Sequence, residues 1–262
     1  MKHMKMKKLL LLLPFLIVHG LKVSAQLPDA AGIMDKCREL TITGSMRADI
    51  ELTITERNGA TRNRKIAMTS KSYPDGTEKR LIKFLEPADV RGTGMLIFDH
   101  KDAADEMWIY LPALKRTRRI VSSEKGKSFM SSEFTNADLT SSPLSDFRIS
   151  HLPGSGDNNQ WIIESVPVND DKANEYGYAR KVSYIRSDDY QFTKMEFYNF
   201  DNEHFRTIDI LSVHLLPGGK YTYKNMIAIN HRNNRKSEII YTSISAGASV
   251  EDSFFTVQNL ER

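Results

Sequence analysis

The sequence predicts a mainly β, α+β domain in which an antiparallel meander curls into an open or partly closed barrel. Short segments of alternating apolar and polar residues recur along most of the chain, and turn formers such as Asn58-Gly59, Asp201-Asn202 and Asn233-Asn234 separate them. Helical periodicity, by contrast, is clear in a single stretch near the N-terminus.

Residues 1–25 read as a secretory signal peptide. Lys2, Lys5, Lys7 and Lys8 precede an apolar run from Leu9 to Val18, and Val23-Ser24-Ala25 supplies modest or small residues where a signal peptidase cuts. That run falls short of the roughly 20 apolar residues a membrane-spanning helix needs. The expectation is a periplasmic protein whose residues 26–262 form one domain. Removing the signal also changes the charge. The whole chain has 37 basic side chains, but five lysines lie in residues 1–25, leaving 32 against 33 acidic ones. A nucleic-acid footprint, which needs a clustered positive surplus, is therefore not expected. The single cysteine, Cys37, has no disulfide partner within the chain and reads as a small apolar residue on a helix.

Residues 29–40 carry Ile33, Met34, Cys37 and Leu40 on one helical face, with Asp29 as the cap. From Arg47 the period becomes two, with Ile50, Leu52 and Ile54 on one side and Asp49, Glu51 and Thr53 on the other. Strands are predicted over residues 62–71, 77–84, 93–99, 106–111 and 116–121. Residues 122–143 are rich in Ser, Thr and Asn and suit one or two short helices, one at residues 136–139. Strands resume at 147–152, 161–166, 179–186, 192–198, 206–214, 221–230 and 237–245, with a polar stretch over 169–178.

Motifs for chemistry fail on spacing. The histidines His100, His151, His204, His214 and His231 form no H-x-H or HExxH arrangement, so no metal site is expected. Gly126-Lys127-Ser128 resembles the end of a phosphate loop, but Val121 stands where its first glycine should be. The expectation is no catalysis and no cofactor.

Two features stand out. Residues 107–111 are apolar on both faces, Trp108 and Tyr110 on one and Met107, Ile109 and Leu111 on the other, so the strand must be covered twice, by core and by a helix, partner or ligand. Lys115 to Arg119 follow directly. As a strand they place Arg116 and Arg118 on one face and Lys115 and Arg119 on the other, either as a solvated edge or as a contact for an anionic group.

The runs Phe84-Leu85-Glu86-Pro87-Ala88-Asp89-Val90-Arg91-Gly92-Thr93, Trp108-Ile109-Tyr110-Leu111-Pro112-Ala113-Leu114-Lys115-Arg116-Thr117-Arg118-Arg119-Ile120 and Phe129-Met130-Ser131-Ser132-Glu133-Phe134-Thr135-Asn136-Ala137-Asp138-Leu139 resemble the outer-membrane lipoprotein-sorting-like proteins. These lie within the superfamily of LolA/LolB-type lipoprotein carriers. The resemblance implies a half-open antiparallel β-barrel whose concave apolar face is covered by short helices. It also implies a carrier or chaperone for the acyl chains of lipids or lipoproteins, in peripheral contact with membranes and with a membrane exporter as a further partner. An interaction module of an envelope assembly is the alternative. On this expectation Ile50, Leu52, Ile54, Trp108 and Tyr110 line the lipid groove, with the inward parity of the strands left open, and Arg116 and Arg118 meet a head group or acidic partner.

N-terminal sequencing of the protein from an envelope fraction is expected to begin at or near Gln26. A start at Met1 would overturn the signal assignment.

Overall fold

The computed structural model describes residues 27–261, so the signal segment expected over 1–25 lies outside the described residues. Helix α1 (Ala30–Thr41) starts at Asp29, whose side chain accepts from the Gly32 amide at 2.8 Å. This satisfies one of the free N–H groups of the first turn. Thirteen strands follow, in the thirteen places where alternation predicts them. They are β1 (Ser45–Thr55), β2 (Thr61–Ser72), β3 (Glu78–Glu86), β4 (Gly94–Asp99), β5 (Glu106–Leu111) and β6 (Arg116–Ile120), then β7 (Phe147–His151), β8 (Gln160–Pro167), β9 (Arg180–Arg186), β10 (Phe192–Tyr198), β11 (His204–Leu215), β12 (Tyr221–Asn230) and β13 (Arg235–Ala246).

All are antiparallel in one sheet, ordered β6-β5-β4-β3-β2-β1-β13-β12-β11-β10-β9-β8-β7. Two meanders, β1 to β6 and β7 to β13, are thus joined through the ladder between β1 and β13. The edges are β6 and β7, so the sheet is not closed, and the chain between them forms the turn-rich segment 121–146. Bulges at Asp49/Ile50, Lys65/Ile66 and Phe197/Tyr198 add local twist that curls the sheet.

The concave face holds the main core. Leu52, Ile54, Phe84, Met95, Ile97 and Met107 pack there against Phe129, Phe134 and Ala137 of segment 121–146. Helix α1 lies over the other part of this face, where Ile33, Met34 and Cys37 meet Trp161, Ile163 and Ile185. A short helix not predicted from the sequence, α2 (Asp170–Tyr176), is capped by Asn169 and ends at Gly177, whose φ is +78°. A Cβ on Gly126 would stand 2.7 Å from the Gly177 Cα. The glycine once compared with a phosphate loop therefore serves a close backbone approach. Beside it Lys125 is buried between Asp105 at 2.8 Å and Glu175 at 3.1 Å, fastening segment 121–146 to α2.

The convex face is covered in one place. Val250, Phe254, Phe255 and helix α3 (Val257–Leu260) pack over Leu81, Leu96, Phe98, Trp108 and Tyr110. Gly94 admits this strap, since a Cβ there would stand 2.7 Å from Leu260 Cδ1. Strand β5 is indeed covered twice, by core on one face and by the C-terminal segment on the other.

Phe255→Ala is expected to cost about 3–5 kcal/mol in urea unfolding, as large buried aromatics do, and to red-shift Trp108 fluorescence. Leu114→Ala, at a residue 67% exposed, should change stability by less than about 0.5 kcal/mol.

Candidate functional site

Alternation places Met46 of β1, Met68 of β2 and Ile82 of β3 on the concave face, together with Met195 and Phe197 of β10, Ile208 of β11, Met226 of β12, and Ile239 and Tyr241 of β13. Helix α1 contributes Met34 and Cys37 from above, and segment 121–146 adds Phe134, Ala137, Leu139 and Leu144. These surfaces do not meet. A cavity of about 310 Å³ remains between them, bordered by strands β1 to β3 and β7 to β13. Its volume lies at the lower end of the roughly 300–1,000 Å³ of small-ligand sites. Five methionines line it, and an unbranched thioether can change rotamer to fit different apolar shapes.

Ion pairs hold segment 121–146 over this space. Arg206 of β11, itself buried, donates to Asp138 at 2.5 Å and 3.1 Å, and Asp138 also accepts from the Thr135 amide at 2.7 Å. Farther along, Arg80 donates to the Leu139 carbonyl, and Asp99 accepts from the Ser141 amide at 2.9 Å. Arg80 is held in turn by Glu78 at 2.8 Å, and Arg38 of α1 reaches Asp99 at 3.8 Å. Helix and segment are thereby tied to the same buried carboxylate.

Three polar groups on the cavity wall stand apart. Lys181 of β9 borders the cavity and is half-buried. Burial pushes its ammonium down to about 8, with Asp138 opposing and Arg206 reinforcing that shift. Ser165 of β8 and Thr140 have buried hydroxyls with no hydrogen-bond partner among the described residues. Cys37 is also on the wall, but burial pushes its thiol up to about 12, so it behaves as an apolar surface rather than a nucleophile. Burial likewise raises the phenols of Tyr178, Tyr223 and Tyr241, which stay neutral. No group of three His, Cys, Asp or Glu among the described residues is placed to hold a metal.

The residues expected to line a groove divide three ways. Ile50, Leu52 and Ile54 do face the concave side, but they are buried in the filled part of the core. Trp108 and Tyr110 lie on the convex face under the C-terminal strap, while Met107 and Ile109 take the inward parity. Arg116 and Arg118 pair with Leu111 and Ile109 across the β5–β6 ladder and so share the concave parity. The expectation that Trp108 and Tyr110 line the concave groove is therefore corrected, because alternation sets them on the face opposite Arg116 and Arg118. Both arginines are exposed on edge strand β6, three strands beyond the last cavity-lining strand, and Arg118 contacts Glu124 at 2.7 Å. Sequence reasoning missed Lys181 and Ser165. The available signal was a lysine and serines at inward positions of strands otherwise bearing Trp161, Ile163 and Ile185.

A curled antiparallel sheet with a helical and loop cover over an apolar cavity defines the class of half-barrel carrier folds. A family model described as "Uncharacterized protein" matches residues 76–262. Among solved structures, a domain named for outer membrane lipoprotein sorting from Vibrio parahaemolyticus is 26% identical, covering 89% of this chain and 98% of its own, with a TM-score of 0.80. A DUF1329 family protein from Desulfovibrio piger is 23% identical over 88% of this chain and 97% of its own (TM-score 0.77). A LolA superfamily protein from Nitrosomonas europaea is 15% identical over 89% and 100% (TM-score 0.68) and shows the shared fold. No curated protein matches the chain. The chain belongs to the outer-membrane lipoprotein-sorting-like family, with the LolA-type fold.

Asp138→Ala leaves the buried Arg206 without its carboxylate and is expected to cost about 3–5 kcal/mol in urea unfolding. Amide exchange at residues 134–142 should accelerate before that of β1 and β13. Uniform acceleration would contradict a latch role.

Proposed function

We propose that the protein is a periplasmic carrier or chaperone that shields acyl chains of lipids or lipoproteins inside the half-barrel. The observation that carries this reading is the methionine- and aromatic-lined cavity left beneath α1 and segment 121–146. Enclosing an acyl chain needs little directed polar chemistry. About eight buried methylenes at about 0.8 kcal/mol each contribute roughly 6 kcal/mol. Flexible Met34, Met46, Met68, Met195 and Met226 suit a ligand of variable shape. The work is binding rather than catalysis.

The charged, apolar and small-residue order of residues 1–25 supports export. Similarity to a domain named for outer membrane lipoprotein sorting supports the ligand class. Arg116 and Arg118, exposed on the edge strand, are proposed contacts for an anionic head group, an acidic exporter or a membrane surface, acting from the sheet edge rather than the cavity.

Lipid extraction and native mass spectrometry of purified protein should find a bound acyl lipid that a fluorescent fatty acid displaces. Met226→Trp, which fills the cavity, is expected to weaken uptake about tenfold, at an overpacking cost of about 1–3 kcal/mol. Trp108→Phe on the convex face should leave uptake unchanged. Unchanged uptake in the filled-cavity variant would refute the carrier reading.

A further inference from the structure

One row of paired residues crosses five adjacent strands at the cavity wall, β7 to β11. Cross-strand pairing sets Ile149 opposite Ser165, Ser165 opposite Lys181, Lys181 opposite Phe197, and Phe197 opposite Arg206. Directly paired residues share a face, so all five point to the concave side. Both cations of the row flank Phe197, yet their surroundings differ. Arg206 lies 4.0 Å from the Phe197 ring centroid and is neutralised by Asp138. Lys181 has no carboxylate or hydrogen-bond partner among the described residues, its Nζ standing 5.7 Å from the Phe147 ring centroid.

Charge counting around the cavity gives the same result. Arg38, Arg80, Lys181 and Arg206 face Glu78, Asp99 and Asp138. Every carboxylate is engaged by an arginine, which leaves one positive charge over, on Lys181. Beside it the Ser165 hydroxyl is buried at 2% exposure with nothing to bond. An ammonium and a hydroxyl on neighbouring strands offer two donor groups and one charge. Buried polar groups of this kind are costly unless something pairs with them.

We propose that Lys181 and Ser165 form a subsite for the terminal carboxylate of an acyl chain, so that the ligand binds head inward as a free fatty acid rather than as an esterified chain. The proposal rests on the carrier reading and names the chemistry of its ligand. A single carboxylate, with two oxygens and one charge, matches the two donor groups and the surplus charge. The tail then runs from Phe197 toward Met195, Met226 and Ile239.

The test compares dodecanoic acid with dodecanol by titration calorimetry on delipidated protein. The two share a chain and differ in the charged head. At pH 7 the acid is expected to bind the parent about tenfold tighter. Lys181→Met should remove that preference while keeping dodecanol affinity, and Lys181→Arg should restore most of it. Burial holds the Lys181 ammonium down at about 8, with Asp138 of the covering segment and Arg206 of β11 as the charges facing it. Binding a carboxylate holds the ammonium protonated, so acid affinity falls as pH rises through that value and dodecanol affinity does not. The pH profile needs no variant and stands even if Lys181→Met fails to fold. Equal binding of acid and alcohol by the parent, or a preference that survives Lys181→Met, overturns the subsite and leaves the carrier reading intact. Binding of neither overturns both.

Discussion

The ladder between β1 and β13 is the constraint on which the rest of the structure depends. Every other ladder joins strands that follow one another in the chain, whereas this one pairs Met46 with Ala246 and Thr55 with Lys236. Loop-closure entropy grows only slowly with length, so a ladder of this extent can offset it. With it in place, two meanders become one sheet with a continuous concave face. Twelve gaps of about 4.8 Å would put the edges of a flat thirteen-strand sheet roughly 58 Å apart. The compact segment 121–146 joins those edges because the sheet curls, and the same curl makes it a cover.

The concave face is filled unevenly, and the reason lies in which side chains the cover supplies. Around Phe84 of β3 the cover brings Phe129 and Phe134 onto that ring and its neighbours, with Phe84 and Phe129 centroids 5.8 Å apart, and the core there is solid. Farther along, the cover carries Asp138, Thr140, Ser141 and Ser142, of which Asp138 pairs with Arg206 and the Ser141 amide donates to Asp99, and these short polar side chains leave space unfilled. An apolar wall facing a short polar strip leaves a void. Such a void forgoes dispersion contacts and lowers stability, a cost that is understandable where the space serves a ligand.

Buried charge does the fastening. Asp99 receives Arg80, Arg38 and the Ser141 amide, so β3, α1 and the cover meet at one carboxylate. Arg206 with Asp138 fixes a second point, and Lys125 with Asp105 and Glu175 a third. Buried pairs add less net stability than apolar packing would, but each has one satisfactory geometry, so they fix the position of a segment whose sequence has little periodicity.

The chain by itself determined the local architecture. Alternation, short apolar runs and turn residues located the strands, Asp29 and the spacing of Ile33, Met34 and Cys37 located α1, and residues 136–139 form the short helical turn read from their composition. Helix α2 was overlooked because two turns give too few apolar positions to establish a period, although Asn169 and Gly177 were suitable caps. The inward parity of β5 could not be read at all. Both faces of Met107 to Leu111 are apolar, and only the arrival of Val250, Phe255 and Leu260 from the far end of the chain makes the Trp108 side the outer one. The cavity was equally invisible, since a hollow is the space that packed elements fail to fill and belongs to no residue. Lys181 illustrates the division. Its period-two position was legible, but that its ammonium borders the cavity, beside the unpaired Ser165 and apart from the carboxylates that arginines already hold, depends on strands and a cover brought together from distant parts of the chain.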